Sequence, residues 1–245
     1  MQQYGEACEE LIAQGWPVDV KHFGKFGKFT GKRPDAFAWA HQNMPGREYV
    51  PNINPQARAF NLQKNKSMIE HKATLFKDTE KWRKTMKDQQ DYGWLTRFDR
   101  VDKELATTLI HETAHSMLQF RQAGTSWEAV SKAVKAQAEQ IHNRYLDMIR
   151  KTRPVVEQKY KEWYFIESQN ASSQGRYLTP AQKAKAKARI RLEVTNNNFV
   201  SEYAEHNLEE FWAESFTHVY GNSNPSPYAR ELVDLVKNNI KKPGG

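Results

Sequence analysis

The amino-acid sequence predicts an α+β fold that is mostly helical, and three observations predict it. Apolar residues Trp127, Val130, Val134, Ala138, Ile141, Tyr145 and Met148 recur at spacings of three and four, the period of one buried helix face. Helix punctuation recurs through the second half, with Ser126, Thr179-Pro180, Asn207 and Ser226-Pro227 as starts and Gly221 as a stop. Residues 15–66, by contrast, are rich in Gly, Pro and Asn and hold short apolar pieces between turns, the pattern of a small N-terminal sheet.

Taken in order, residues 5–14 read as a short amphipathic helix closed by Gly15. "REYV" (47–50) and "ARAFNLQ" (57–63) read as strands. Residues 67–90 lean towards helix through Met68, Leu75, Trp82 and Met86, with a strand at 68–76 as the alternative. Asp102 then caps a helix to about Phe120, ended by Gly124. Ser126 caps the long helix of the apolar stripe, and Pro154 interrupts it. A further helix at 155–167 carries Tyr160, Trp163, Tyr164 and Phe165, and "NASSQG" (170–175) is a loop. Thr179-Pro180 opens a helix to about Val194 that "TNNN" (195–198) ends. A helix from Leu208 to Tyr220 and a last one from Ser226-Pro227 to about Ile240 complete the chain. There is no internal repeat and no linker long enough to force a second domain.

The 245 residues suit one domain with a helical extension and a substantial core. Seven Trp, ten Tyr and twelve Phe argue against wholesale disorder. Cys8 is the only cysteine, which excludes an intramolecular disulfide. No apolar run approaches the length of a membrane span, and the acidic N-terminus lacks the apolar core of a secretion signal. A cytoplasmic location is the expectation. Net charge is +8, concentrated in "KHFGKFGKFTGKR" (21–33) and "KAKAKARIR" (183–191). Both runs can touch nucleic acid, but a basic loop and a solvated helix face explain them without it, and no zinc-finger or helix–turn–helix pattern accompanies them.

The stretch "TTLIHETAHSML" (107–118) carries the chemistry. On a helix, His111 and His115 lie one above the other and can point two imidazole nitrogens at one ion. Glu112, one residue step round, can reach a water beside that ion without ligating it. Leu105, Leu109, Met117 and Leu118 offer the helix apolar surface, and Ala114 keeps bulk away between the histidines. HExxH also arises by chance, as two ordinary helix histidines. Hydrolytic zinc sites usually have three protein ligands and one open position, so a third ligand has to come from elsewhere.

"YAEHNLEEFWAESF" (203–216) offers one. Asn207 is a good helix cap, and Glu210 projects from the first turn. Glu214, one turn on, can hydrogen-bond a ligating histidine. Tyr203 is near enough in sequence to place a phenol beside the metal. Read alone, the same stretch is an amphipathic helix with a capping box at Asn207/Glu210. His218 shares the Glu210 face and reads as a packed core histidine; His206 and His142 read as exposed.

The two stretches together, HExxH followed by Tyr-x3-Asn-x2-Glu-Phe-x-Ala-Glu-x-Phe, resemble the catalytic domain of anthrax toxin lethal factor and its gluzincin relatives. Those relatives include zincin-like peptidases of phage and prophage origin. The matching residues are Tyr203, Asn207, Glu210, Phe211, Ala213, Glu214 and Phe216, and the two motifs cover about a tenth of the chain. The resemblance implies a single zincin-like domain over 1–245, with 126–194 as a helical insertion between the two motifs. It implies Zn2+ held by His111, His115 and Glu210, Glu112 as general base, Tyr203 as oxyanion donor and Glu214 orienting a ligand histidine. The implied activity is that of a zinc endopeptidase acting on a protein or peptide, with the strand at 57–63 as an edge for extended substrate. A non-enzymatic virion or assembly component that keeps the fold, bound to other phage proteins, and a basic nucleic-acid-associated protein are the alternatives. Virion association joins the cytoplasm as an expected location.

Overall fold

A computed structural model of the chain describes residues 2–18, 38–40, 51–53, 83–84, 86–118, 127 and 129–240. Over these residues the chain is mostly helical. The helices include α1 (Gln2–Ala13), α2 (Thr107–Met117), α3 (Lys132–Ser173), α4 (Pro180–Val194), α5 (Leu208–Gly221) and α6 (Pro227–Asn239), and residues 83–84 and 86–91 are helical as well. A three-residue antiparallel ladder pairs β1 (Ala38–Ala40) with β2 (Pro51–Ile53), Ala38 opposite Ile53. The strands expected at 47–50 and 57–63, the alternative strand at 68–76 and the basic run 21–33 lie outside the described residues. Among the described residues no helix is long and apolar enough to cross a membrane.

Helix α5 is the centre of the packing. Phe211, Trp212, Ala213, Glu214, Ser215, Phe216, Thr217 and His218 are all buried, so the helix is enclosed on every side. Against α2, the Trp212 indole N–H donates to the Ala114 carbonyl at 2.7 Å. Ala114 and Ala213 have no exposed surface, and such small residues let the two helices approach closely. On the α3 side, the Phe211 ring stacks on His142 and Tyr145 at 4.7 and 4.9 Å between centroids. At its far end Gly221 lies under the Phe98 ring, where a Cβ would sit 2.1 Å from a ring carbon. Its carbonyl accepts the Asp99 N–H at 2.8 Å.

The start of α2 is held by a charged cluster. Lys103 donates to Glu6 at 2.6 Å, and Glu10 accepts from Arg100 at 2.8 Å and from the Tyr220 hydroxyl at 2.6 Å. These bonds tie α1 to the 3-10 turn Val101–Ala106, which runs directly into α2, and to the end of α5. Asp102 is therefore not a helix cap. Arg100 occupies that position without a side-chain cap bond, and Asp102 accepts from its guanidinium at 2.8 Å. The α2 helix ends at Met117, short of Phe120.

The region 126–194 departs most from expectation. Its cap is Ser131, whose hydroxyl accepts the Val134 N–H at 3.2 Å. Trp127 and Val130 are buried in the turn that precedes the helix, with Trp127 edge-on to Trp212. Pro154 does not interrupt: α3 continues through it for 42 residues, about 63 Å, and absorbs the 155–167 helix and most of the 170–175 loop. An interior proline costs about 3 kcal/mol, but contacts beyond it offset that cost. Val156 is buried, and Glu157–Lys187 (2.6 Å) and Lys159–Glu193 (2.8 Å) fasten α3 to α4. Among the described residues two α-helices, not three, thus separate the motifs. The first half of α3 is core, since Val134, Ala138, Ile141, Tyr145 and Ile149 share one apolar cluster with α1, α2, α5 and α6.

Helix α4 starts as expected, with a full capping box between Thr179 and Gln182, and Asn196 and Asn197 stop it by turning to φ of 51° and 60°. Its basic run is largely committed within the fold. Lys185 pairs with Asp88 and Asp91, Lys187 with Glu157 and Arg191 with Glu202, while Lys183 lies over the Tyr164 ring.

Candidate metal centre

His111, His115 and Glu210 meet in space, and each turns one ligand atom to a common point. His111 Nε2 lies 3.2 Å from His115 Nε2 and 3.2 Å from Glu210 Oε2, and His115 Nε2 lies 3.3 Å from the same oxygen. The triangle is almost equilateral. A tetrahedral ion with ligand distances of 2.0–2.2 Å needs donor atoms about 3.3–3.6 Å apart, close to this spacing. The three residues can therefore hold a metal ion on one face and leave a fourth position open.

Each corner is placed by local structure. The i, i+4 spacing on α2 brings the two histidine rings 4.9 Å apart. At α5, the Asn207 side chain accepts the Glu210 N–H at 2.8 Å, which fixes the first turn. Only this half of the expected capping box forms, and the Glu210 carboxylate turns to the histidines instead.

Glu214 is almost completely buried, and its carboxylate holds two elements at once. One oxygen accepts from His111 Nδ1 at 2.9 Å and the other accepts the Thr96 N–H at 2.7 Å. A proton on His111 Nδ1 leaves a lone pair on Nε2, the nitrogen that faces the triangle. That lone pair then points at a carboxylate oxygen and a second imidazole nitrogen, an arrangement that calls for positive charge at the centre. The electrostatics make the same demand for positive charge, which a second ring proton or a cation can meet. Burial disfavours a charged His111 ring, but Glu210 and Glu214 outweigh it and hold its pKa well above the usual histidine range. Burial likewise disfavours ionised Glu210, and the two histidines outweigh it, holding its carboxyl far below the usual carboxylate range.

Glu112 is buried beside this group, close enough to add to the negative field at both His111 and Tyr203. Tyr203 opens a 3-10 turn, Tyr203–Glu205, and its ring stacks on His111 at 5.9 Å. Burial, then the Glu210 and Glu112 charges, push its phenol pKa up, so the hydroxyl stays a proton donor, and it hydrogen-bonds Glu210. All six residues singled out from the sequence thus gather at one place: His111, Glu112, His115, Tyr203, Glu210 and Glu214.

The other histidines sort differently. His218 is buried, and burial, with Arg97 nearby, lowers its pKa to about 4. Its Nδ1 lies 2.6 Å from the Thr96 hydroxyl. His206 is exposed, edge-on to Tyr203 at 5.3 Å. His142 is not exposed: it is buried on α3, with Nε2 3.2 Å from the Ala204 carbonyl. Its position four residues after Ala138 and three before Tyr145 puts it in the apolar stripe, a signal the sequence does contain.

Two residues of the site escape sequence reasoning. Thr96 supplies the N–H that anchors Glu214 from 118 positions away, and no motif marks it. Trp94, after the Gly93 turn (φ 75°), packs its ring 5.8 Å from Tyr203, and its carbonyl accepts the Tyr203 N–H at 3.0 Å. Comparison with protein-family models, with curated proteins and with solved structures finds no match to this chain.

Proposed function

We propose that this chain is a zinc-dependent endopeptidase with a zincin-like fold of the gluzincin type. The observation that carries the reading is the triangle of His111, His115 and Glu210, whose Nε2, Nε2 and carboxylate donors stand 3.2–3.3 Å apart. Two imidazoles and one carboxylate around an open fourth position are the ligand set of hydrolytic zinc. The order HETAH, then Tyr-x3-Asn-x2-Glu with Glu214 beyond, supports the same reading.

Zinc, when bound, polarises a carbonyl and lowers the pKa of a water towards neutrality. The rest is the work of this chain's side chains. His111, His115 and Glu210 hold the ion, and Glu214 keeps the His111 proton on Nδ1. Glu112 takes a proton from the attacking water and delivers it to the leaving amine, as general base and then acid. The Tyr203 phenol, held protonated, donates a hydrogen bond to the oxyanion as the carbonyl is attacked, where one donor is worth about 3 kcal/mol.

The substrate is a protein or peptide, and a phage or prophage setting, in the host cytoplasm or on a virion, follows the resemblance of the two motifs. An unbiased cleavage profile on a proteome-derived peptide mixture tests the activity, comparing the zinc-loaded wild type with Glu112→Gln. Wild type cleaves and Glu112→Gln keeps zinc but does not. Equal cleavage by both removes Glu112 as the base.

A further inference from the structure

Eight large apolar side chains are exposed among the described residues. Trp94, 40% exposed, is the one whose ring packs against Tyr203. The ring of His206 stands edge-on to it at 5.7 Å, and Tyr203 in turn stacks on His111. An aromatic surface therefore runs from solvent to the donor triangle in two centroid steps of 5.8 and 5.9 Å.

This surface is fixed before any ligand arrives. Gly93 and Trp94 accept backbone N–H bonds from Glu202 and Tyr203 at 2.8 and 3.0 Å, and Thr96 is tied to Glu214 and His218. Gly93 fixes the turn through its φ of 75°, a conformation other residues rarely adopt, and it lies in van der Waals reach of Ala188 and Phe199. A pre-set indole binds a partner ring with little ordering cost.

We propose that Trp94 is the specificity-determining wall of a substrate subsite, and that the subsite takes a large aromatic or aliphatic side chain within three positions of the scissile bond. The inference rests on the zinc peptidase reading above. An extended peptide advances about 3.3 Å per residue, so a residue one to three positions from the bond under attack lies over this wall. A basic side chain is the competing ligand for an aromatic face. Near this wall Glu202 pairs with Arg191 (2.6 Å), Glu205 with Arg153 (3.5 Å) and Glu210 with the two histidines, and Glu112 is buried. The exposed counter-charge a cation would need is thus largely offset, and the subsite selects apolar side chains.

Calorimetric titration of the zinc-loaded full chain with three hydroxamates tests this. Acetohydroxamate, with no side chain to reach the indole, is the reference ligand; phenylpropionyl and aminohexanoyl hydroxamates carry a ring and a cation. Phenylpropionyl hydroxamate binds wild type roughly three- to tenfold tighter than the reference. That ratio falls to about one in Trp94→Ala and returns in Trp94→Phe. A ratio that persists in Trp94→Ala, or a larger gain from the aminohexanoyl probe, overturns the subsite. Failure of the chain to take up zinc overturns the metal reading and the subsite with it, so the two failures are distinct.

Discussion

Glu214→Gln is the substitution that separates a built metal site from a chance meeting of side chains. Glu214 accepts two hydrogen bonds in the core, from His111 Nδ1 at 2.9 Å and from the Thr96 N–H at 2.7 Å. A glutamine has one acceptor oxygen and one donor nitrogen in the same space. The Thr96 N–H cannot become an acceptor, so it claims the oxygen. The amide nitrogen is left facing His111 Nδ1, and the ring can meet it only by moving its proton to Nε2. That is the nitrogen the metal needs. Loss of such a positioning group costs about 10- to 100-fold in metal affinity, or roughly 1.4–2.7 kcal/mol. Competition against a fluorescent zinc indicator measures it, with Glu231→Gln as control, since Glu231 pairs with the exposed Arg144 and is not a corner of the triangle. Affinity of Glu214→Gln within twofold of wild type would refute the tautomer argument.

Two further outcomes follow. Tyr203→Phe removes the proposed oxyanion donor but none of the proposed ligands, so zinc content is expected to stay at the wild-type level while kcat falls by about 100-fold or more; an unchanged kcat denies Tyr203 this role. His218, neutral in the fold with a pKa lowered to about 4, takes up a proton near 6.5 once unfolded. The unfolded chain thus binds more protons between these values, so the contribution is complete above pH 6.5 and is lost as pH falls to 4, by about 3 kcal/mol. Denaturant unfolding of metal-free wild type and His218→Asn across that range should show this slope in wild type and its loss in the variant.

The residues that meet at the centre were legible because helical geometry converts spacing into direction. His111 and His115 share a face by their four-residue interval, and Asn207, Glu210 and Glu214 are arranged by one cap and one turn. What the sequence could not show was the support from remote backbone. Thr96 and Trp94 act through a main-chain N–H and a main-chain carbonyl, groups that every residue carries and that leave no pattern. Boundaries failed where tertiary contacts override local preference. Pro154 reads as a break and is carried through because α4 grips the helix beyond it. Ser126 and Ser131 are equivalent candidates by type, and the bond to Val134 settles on the second. Reading His142 as exposed neglected the stripe it belongs to, and burial against Phe211 corrects it.

The proposed zinc site turns on one quantity, the metal bound per chain by protein purified without chelator. Elemental analysis should find about one zinc per wild-type chain, and far less in His111→Ala, His115→Ala and Glu210→Ala, the three corners of the triangle. Wild-type protein that carries no stoichiometric zinc, and takes none up when it is supplied, would contradict it.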